Sequence, residues 1–235
     1  MYSVNYNNIE KYLSAPRLNR YLRASDASKK KALQIYRTNL RLSQAFYPVL
    51  NLFETFFRNA LHGEISLFFN DTDWIVNQRN HFMTDKSLAG TSFFLKKEVE
   101  RAEIKIYKKS KSIHSSKVIA EQSFGFWTSF FDPHHFKIIQ GVAISTFPYK
   151  PKDVNRKAIA FMLREIREFR NRVYHNEPIC FKGNIVDFSQ AIQIRKYILE
   201  ITSWIDPKLL AVMIYYDNIM NKIPQHYHRR ELICY

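Results

Sequence analysis

The stretch DVNRKAIAFMLREIREFRNRVYH (Asp153–His175) decides the fold class. Ile159, Met162, Leu163, Ile166, Phe169 and Val173 recur at three- and four-residue steps, which puts them on one side of a helix, with charge on the other. Pro178 stops that helix. Outward from it, most segments carry the same period and alternating strand patterns are scarce. Ser14 with Pro16 just inside reads as a helix start, running through Tyr21. Asp26 or Ser28 caps the next helix, where Leu33, Tyr36, Leu40 and Ser43 trace one face. Pro48 predicts a kink or break, and the apolar run from Pro48 to about Phe69 predicts a helix in the middle of the fold.

Further helices are expected over about 91–109, 116–131, 133–144, 186–203 and 207–221. Residues 71–88 read as a connection with a short ordered piece around Trp74. The end from Gln225 is polar and basic. No repeat or convincing linker appears, so the expectation is a single all-α domain over 1–235, with a basic inserted region at about 71–117.

Composition narrows the function. Five Gly in 235 residues, with no G-x-G-x-x-G and no P-loop, argue against nucleotide-binding βαβ folds and Gly-rich cofactor loops. The net charge of +15 points to a polyanionic partner, with nucleic acid preferred over a merely soluble basic surface or a membrane surface. Arg101 to Lys117 holds six Lys or Arg against one Glu, so Lys108, Lys109 and Lys111 are candidate RNA contacts beside Arg172. No secretory leader pattern opens the chain and no long uncharged apolar run crosses it; two Cys without C-x-x-C spacing fit a reduced, cytoplasmic protein.

The chemistry-bearing constellation is Arg170-Asn171-Arg172-Val173-Tyr174-His175-Asn176-Glu177-Pro178. An imidazole moves protons near neutral pH and a guanidinium grips phosphate with a planar fork of donors. Arg-x-x-x-x-His alone arises by chance about half a time in a chain of this composition, and the Asn beside the Arg makes the coincidence much rarer. On a helix Asn171 and His175 share a face, whereas Arg170 and His175 lie about 140° apart. A second polar stripe, Asn51, Glu54, Thr55, Arg58, Asn59 and His62, faces either solvent or a polar cleft. As metal ligands, His134-His135, His226-x-His228 and Cys180 lack a recognised spacing, so no metal or cofactor is expected.

The segment Arg167–Ile179 resembles the signature of Abi-like abortive-infection proteins of the HEPN superfamily. Leu13–Leu18, Tyr36–Leu40, Glu54 through Arg58–His62, Phe124–Trp127 and Trp204–Pro207 resemble the same family in the same order, covering most of the chain. The resemblance implies a HEPN-type helical bundle, usually dimeric, and a metal-independent endoribonuclease toxin acting in anti-phage defence. It makes Arg170 and His175 the catalytic pair, with Asn171 the polar residue beside them, and gives Glu54, Arg58 and Asn59 a supporting role. Asn176 stands where the family often has a second His. A restraining RNA or protein antitoxin is a further implied partner. The competing reading is a non-catalytic basic helical module that binds RNA or protein.

Overall fold

A computed structural model describes residues 6–228, apart from the side chains of His226 and His228. The fold is all-α: the described residues form twelve α-helices joined by 3₁₀ turns, and two strands of two residues each. They fall into two compact units. The first takes the described residues of Met1–Asn51, Glu168–Leu199 and Ala211–Tyr235; the second takes Leu52–Arg167 and Glu200–Leu210.

In the first unit, α1 (Tyr6–Leu13) leads into α2 (Ala15–Arg23), which starts at Ser14 with proline in its first turn. The long α3 (Lys29–Phe69) comes next, its Ser28 hydroxyl accepting from the Lys31 N–H. Its buried line is Ala32, Leu33, Asn39, Leu42, Ala45, Phe46 and Val49. Leu40, expected on the core face, is instead exposed, because the stripe turns toward Asn39 and Leu42. Nor does the helix break at Pro48; it continues without interruption. Proline removes the bond to the Gln44 carbonyl, at a cost of about 3 kcal/mol. Gln44 lies on an exposed face, open to solvent, and buried Phe46, Val49 and Leu50 on either side hold the helix together. Burying each such side chain is worth roughly 1.5–3 kcal/mol.

The C-terminal part of α9 (Arg156–Tyr174) packs Phe169 on Phe46, with ring centres 4.7 Å apart. After α9, β1 (Phe181–Lys182) pairs antiparallel with β2 (Ile185–Val186) around Gly183, whose φ of 60° suits the first corner of a tight hairpin. Phe181 packs its edge against Tyr21. In α10 (Ser189–Ile205), Arg195 pairs with Asp217, 2.5 Å away and just beyond α11 (Leu209–Tyr216).

The second unit is built on aromatic packing. Phe53, Phe57, Leu61 and Ile65 of α3 form its buried line. Phe57 meets Phe124, Phe131 and Phe147, while Trp74, in α4 (Trp74–Asn77), packs edge-on against Trp127 and Phe130. Three 3₁₀ turns then lead to α5 (Phe94–Ser110). The single helix expected over about 116–131 is two, α6 (Ser115–Glu121) and α7 (Phe124–Thr128). Ser123 interrupts it, because its hydroxyl caps the Phe126 N–H at 3.2 Å and so starts a new helix. Likewise α8 (Pro133–Ile138) ends early, where Gln140 and Gly141 turn to positive φ. The basic segment is anchored through Glu103, buried and paired with Arg79, and through Lys105 paired with Glu121.

Candidate active site

The end of α9 is a Schellman cap. The Glu177 N–H bonds the Arg172 carbonyl at 2.8 Å and the Asn176 N–H bonds the Val173 carbonyl at 3.2 Å, with Asn176 left-handed at φ 55°. Asn tolerates that conformation far better than most residues, which gives Asn176 a backbone reason for its identity. His175 therefore occupies the last, half-helical position, with its own N–H still bonded to the Asn171 carbonyl at 2.9 Å.

Two side chains pin the segment that leaves the helix. The Asn39 amide oxygen accepts from the buried Ile179 N–H at 2.8 Å. Arg172 donates to the Pro178 carbonyl and, at 2.6 Å, to Gln190. Burial is the main cause that lowers the Arg172 pKa, with neighbouring Arg20 adding to it and Glu177 and Cys180 opposing. Arg172, expected at RNA, thus has donors engaged within the protein.

Arg170 lies over the Tyr174 ring, its guanidinium carbon 4.0 Å from the ring centre. Tyr174 in turn stacks on Tyr47, with centres 5.2 Å apart. One Arg170 nitrogen also reaches the Asn171 amide oxygen at 3.4 Å, a long and weak bond. Asn171 and His175 are both exposed. Among the described residues the His175 imidazole makes no hydrogen bond or ion pair. So a planar cation, an amide and an accessible imidazole share one helix end, backed by two tyrosines. Sequence reasoning missed those tyrosines: Tyr174 had a signal, four residues after Arg170, and Tyr47 had none.

The supporting set stands on α3 in the second unit. Glu54 and Arg58 are half-buried and Asn59 is exposed, its amide oxygen accepting from Arg58 Nε at 3.0 Å. One turn on, His62 accepts from the Trp74 indole N–H at its Nδ1, 2.9 Å away, so its proton sits on Nε2. Burial, then the Arg58 charge, hold the His62 pKa below the ordinary imidazole value against the pull of Asp73. Lys108, Lys109 and Lys111 are exposed at the end of α5, Lys111 over the Tyr107 ring, and none of the three forms an ion pair among the described residues.

Of the candidate metal ligands, His135 is buried with Nδ1 3.0 Å from the Ser129 carbonyl, and Cys180 is buried with its thiol pushed up to about 12, chiefly by burial. The side chains of His226 and His228, and Cys234, lie outside the described residues. No three His, Cys, Asp or Glu side chains gather into a metal-sized group among the described residues, and no helix among them is long and apolar enough to cross a membrane.

Comparison of the chain with protein-family models, with curated proteins and with solved structures found no match.

Proposed function

We propose that this chain is a metal-independent endoribonuclease of the HEPN type, acting as a growth-halting toxin in abortive infection. The observation that carries the reading is the exposed imidazole of His175, without a partner among the described residues, at the end of the helix that holds Arg170 and Asn171. RNA brings its own nucleophile, so the protein has only to move protons and stabilise charge.

In this mechanism the ribose 2′-oxygen attacks the adjacent phosphorus as His175 accepts the 2′ proton, a contribution of about 10²–10⁴-fold. The bond from phosphorus to the 5′-oxygen breaks, and that oxygen takes a proton from an imidazolium. The products are a 2′,3′-cyclic phosphate and a 5′-hydroxyl. Arg170, oriented by Tyr174, binds the phosphate oxygens as their charge grows. Asn171 orients the phosphate or the imidazole by hydrogen bonding. One His175 per chain supplies one of the two proton transfers at a time, and a homodimer with paired helix ends supplies the second imidazole. A cytoplasmic setting and a restraining RNA or protein antitoxin belong to the same reading.

The test is incubation of purified protein with labelled RNA, with and without EDTA, beside Arg170→Ala and His175→Ala. Cleavage that survives EDTA and disappears in both variants is the expected result. Cleavage abolished by EDTA, or undiminished in His175→Ala, overturns it.

A further inference from the structure

The first half of α9 borders a cleft of about 260 Å³ in the second unit. That is smaller than a usual cofactor pocket of about 300–1,000 Å³ and suits a compact group. Its lining includes Arg156, Lys157, Arg164 and Arg167, opposed by the single carboxylate of Asp132.

Two of these cations are half-buried and held in place without being neutralised. Arg167 donates to the Thr128 hydroxyl oxygen at 3.0 Å, and that hydroxyl spends its own proton on the Gly125 carbonyl at 3.2 Å. Arg156 donates to the Phe131 carbonyl at 2.5 Å and stands over the Phe136 ring. Both acceptors are neutral, and each guanidinium keeps most of its donors for another partner. Asp132 is exposed and forms no ion pair among the described residues.

Lys157 and Arg164 add charge from the exposed side. Arg164 is steadied over the Phe161 ring and has only a distant 4.0 Å approach to Glu165. The helix itself adds to the field. Arg156 and Lys157 stand in the first turn of α9, which holds no acidic residue, so they meet the positive end of its dipole. Cations gathered at that end repel one another and the dipole, and a bound anion relieves both.

The charge selects the kind of anion. Four cations against one carboxylate suit a group with close to two negative charges and several strong acceptor oxygens, which a phosphoryl dianion supplies. A carboxylate brings one charge and two oxygens in a plane, and a phosphodiester one charge. We infer that this cleft is a binding site for a small phosphate dianion, either free phosphate or the terminal phosphoryl group of a phosphomonoester. Arg156 and Arg167 grip its oxygens, and Lys157 and Arg164 supply further charge. The site holds whether or not the chain cuts RNA.

The test is calorimetric titration of the full chain, at constant ionic strength, with inorganic phosphate, glycerol 1-phosphate and dimethyl phosphate. Wild type is compared with Lys157→Ala/Arg164→Ala and the charge-retaining Lys157→Arg/Arg164→Lys. Lys30→Ala/Lys31→Ala removes as much charge from an exposed stretch elsewhere, and Arg170→Ala reports on binding at the end of α9. Lys157 and Arg164 are exposed and make no hydrogen bond among the described residues, and circular dichroism melting checks that every variant is folded.

Wild type should take up one equivalent of a dianion saturably. Each exposed cation contributes about 0.2–1 kcal/mol to such a contact, so the cleft alanine pair should bind roughly two- to thirtyfold more weakly. The charge-retaining pair should restore binding, and the Lys30/Lys31 pair and Arg170→Ala should match wild type. Tighter binding of inorganic phosphate assigns the free ion, and tighter binding of glycerol 1-phosphate assigns a phosphomonoester. Either supports the site. No saturable uptake by wild type, equal weakening in the two alanine pairs, or unchanged affinity in the cleft pair overturns it. So does binding lost in Arg170→Ala alone, or dimethyl phosphate bound as tightly as the dianions.

Discussion

Asn39→Leu removes an amide oxygen while keeping most of the side-chain volume. The oxygen lost is the one that accepts the Ile179 N–H at 2.8 Å, and both residues are buried, so the N–H is left without an acceptor and without water. A buried donor stranded in this way costs about 1–3 kcal/mol. For a chain of this size each kcal/mol moves Tm by roughly 2–4 °C, so a fall of about 2–12 °C is expected. Ile179 lies four residues beyond His175, so the loss should also loosen the exit from the helix that carries the candidate site. Circular dichroism melting reads the first effect, and hydrogen exchange at the Ile179 amide reads the second. A Tm within about 1 °C of wild type, with Ile179 still protected, would show that Asn39 does not hold this segment.

Asn176→Gly should leave Tm unchanged or raise it, whereas Asn176→Val should lower stability by about 1–2 kcal/mol, the cost of a left-handed φ for a branched side chain; thermal melts of the pair check this. Folded-state pKa values of His62 and His135 are both lowered, first by burial, so stability from their neutral forms is present above about pH 6.5 and is lost as pH falls toward the folded values. Protonated His62 also strands the buried Trp74 N–H, so Tm should drop from pH 7.5 to 5.0, and His62→Gln should flatten that profile. Cys180, with its thiol near 12 and buried, should resist alkylation at pH 8 in the folded protein and react once urea unfolds it, as read by peptide mass spectrometry.

Helical order was legible where it is local. The apolar positions of α9 are set by the 3.6-residue period, and the same period carried α3 and α5. It failed where one side chain competes with the helix for a backbone N–H, as Ser123 does, and where packing on both sides of Pro48 outweighs a broken bond. Gly183-Asn184 is a hairpin signal that the short flanking strands concealed. At the candidate site, Arg170, Asn171 and His175 were readable from their spacing and the proline beyond. Tyr47 was not, since its place on Tyr174 depends on how α3 and α9 pack. Arg164 and Arg167 read as the wet face of an amphipathic helix, because the Thr128 hydroxyl that orients Arg167 comes from a distant segment.

The most direct test of the central claim is the chemistry of the cut ends. RNA incubated with the protein in EDTA should yield 2′,3′-cyclic phosphate and 5′-hydroxyl termini by mass spectrometry, and the same RNA with a 2′-deoxy sugar at the cut position should stay intact. Termini bearing a 5′-phosphate, or cleavage beside the 2′-deoxy sugar, would contradict a mechanism in which His175 activates the 2′-hydroxyl.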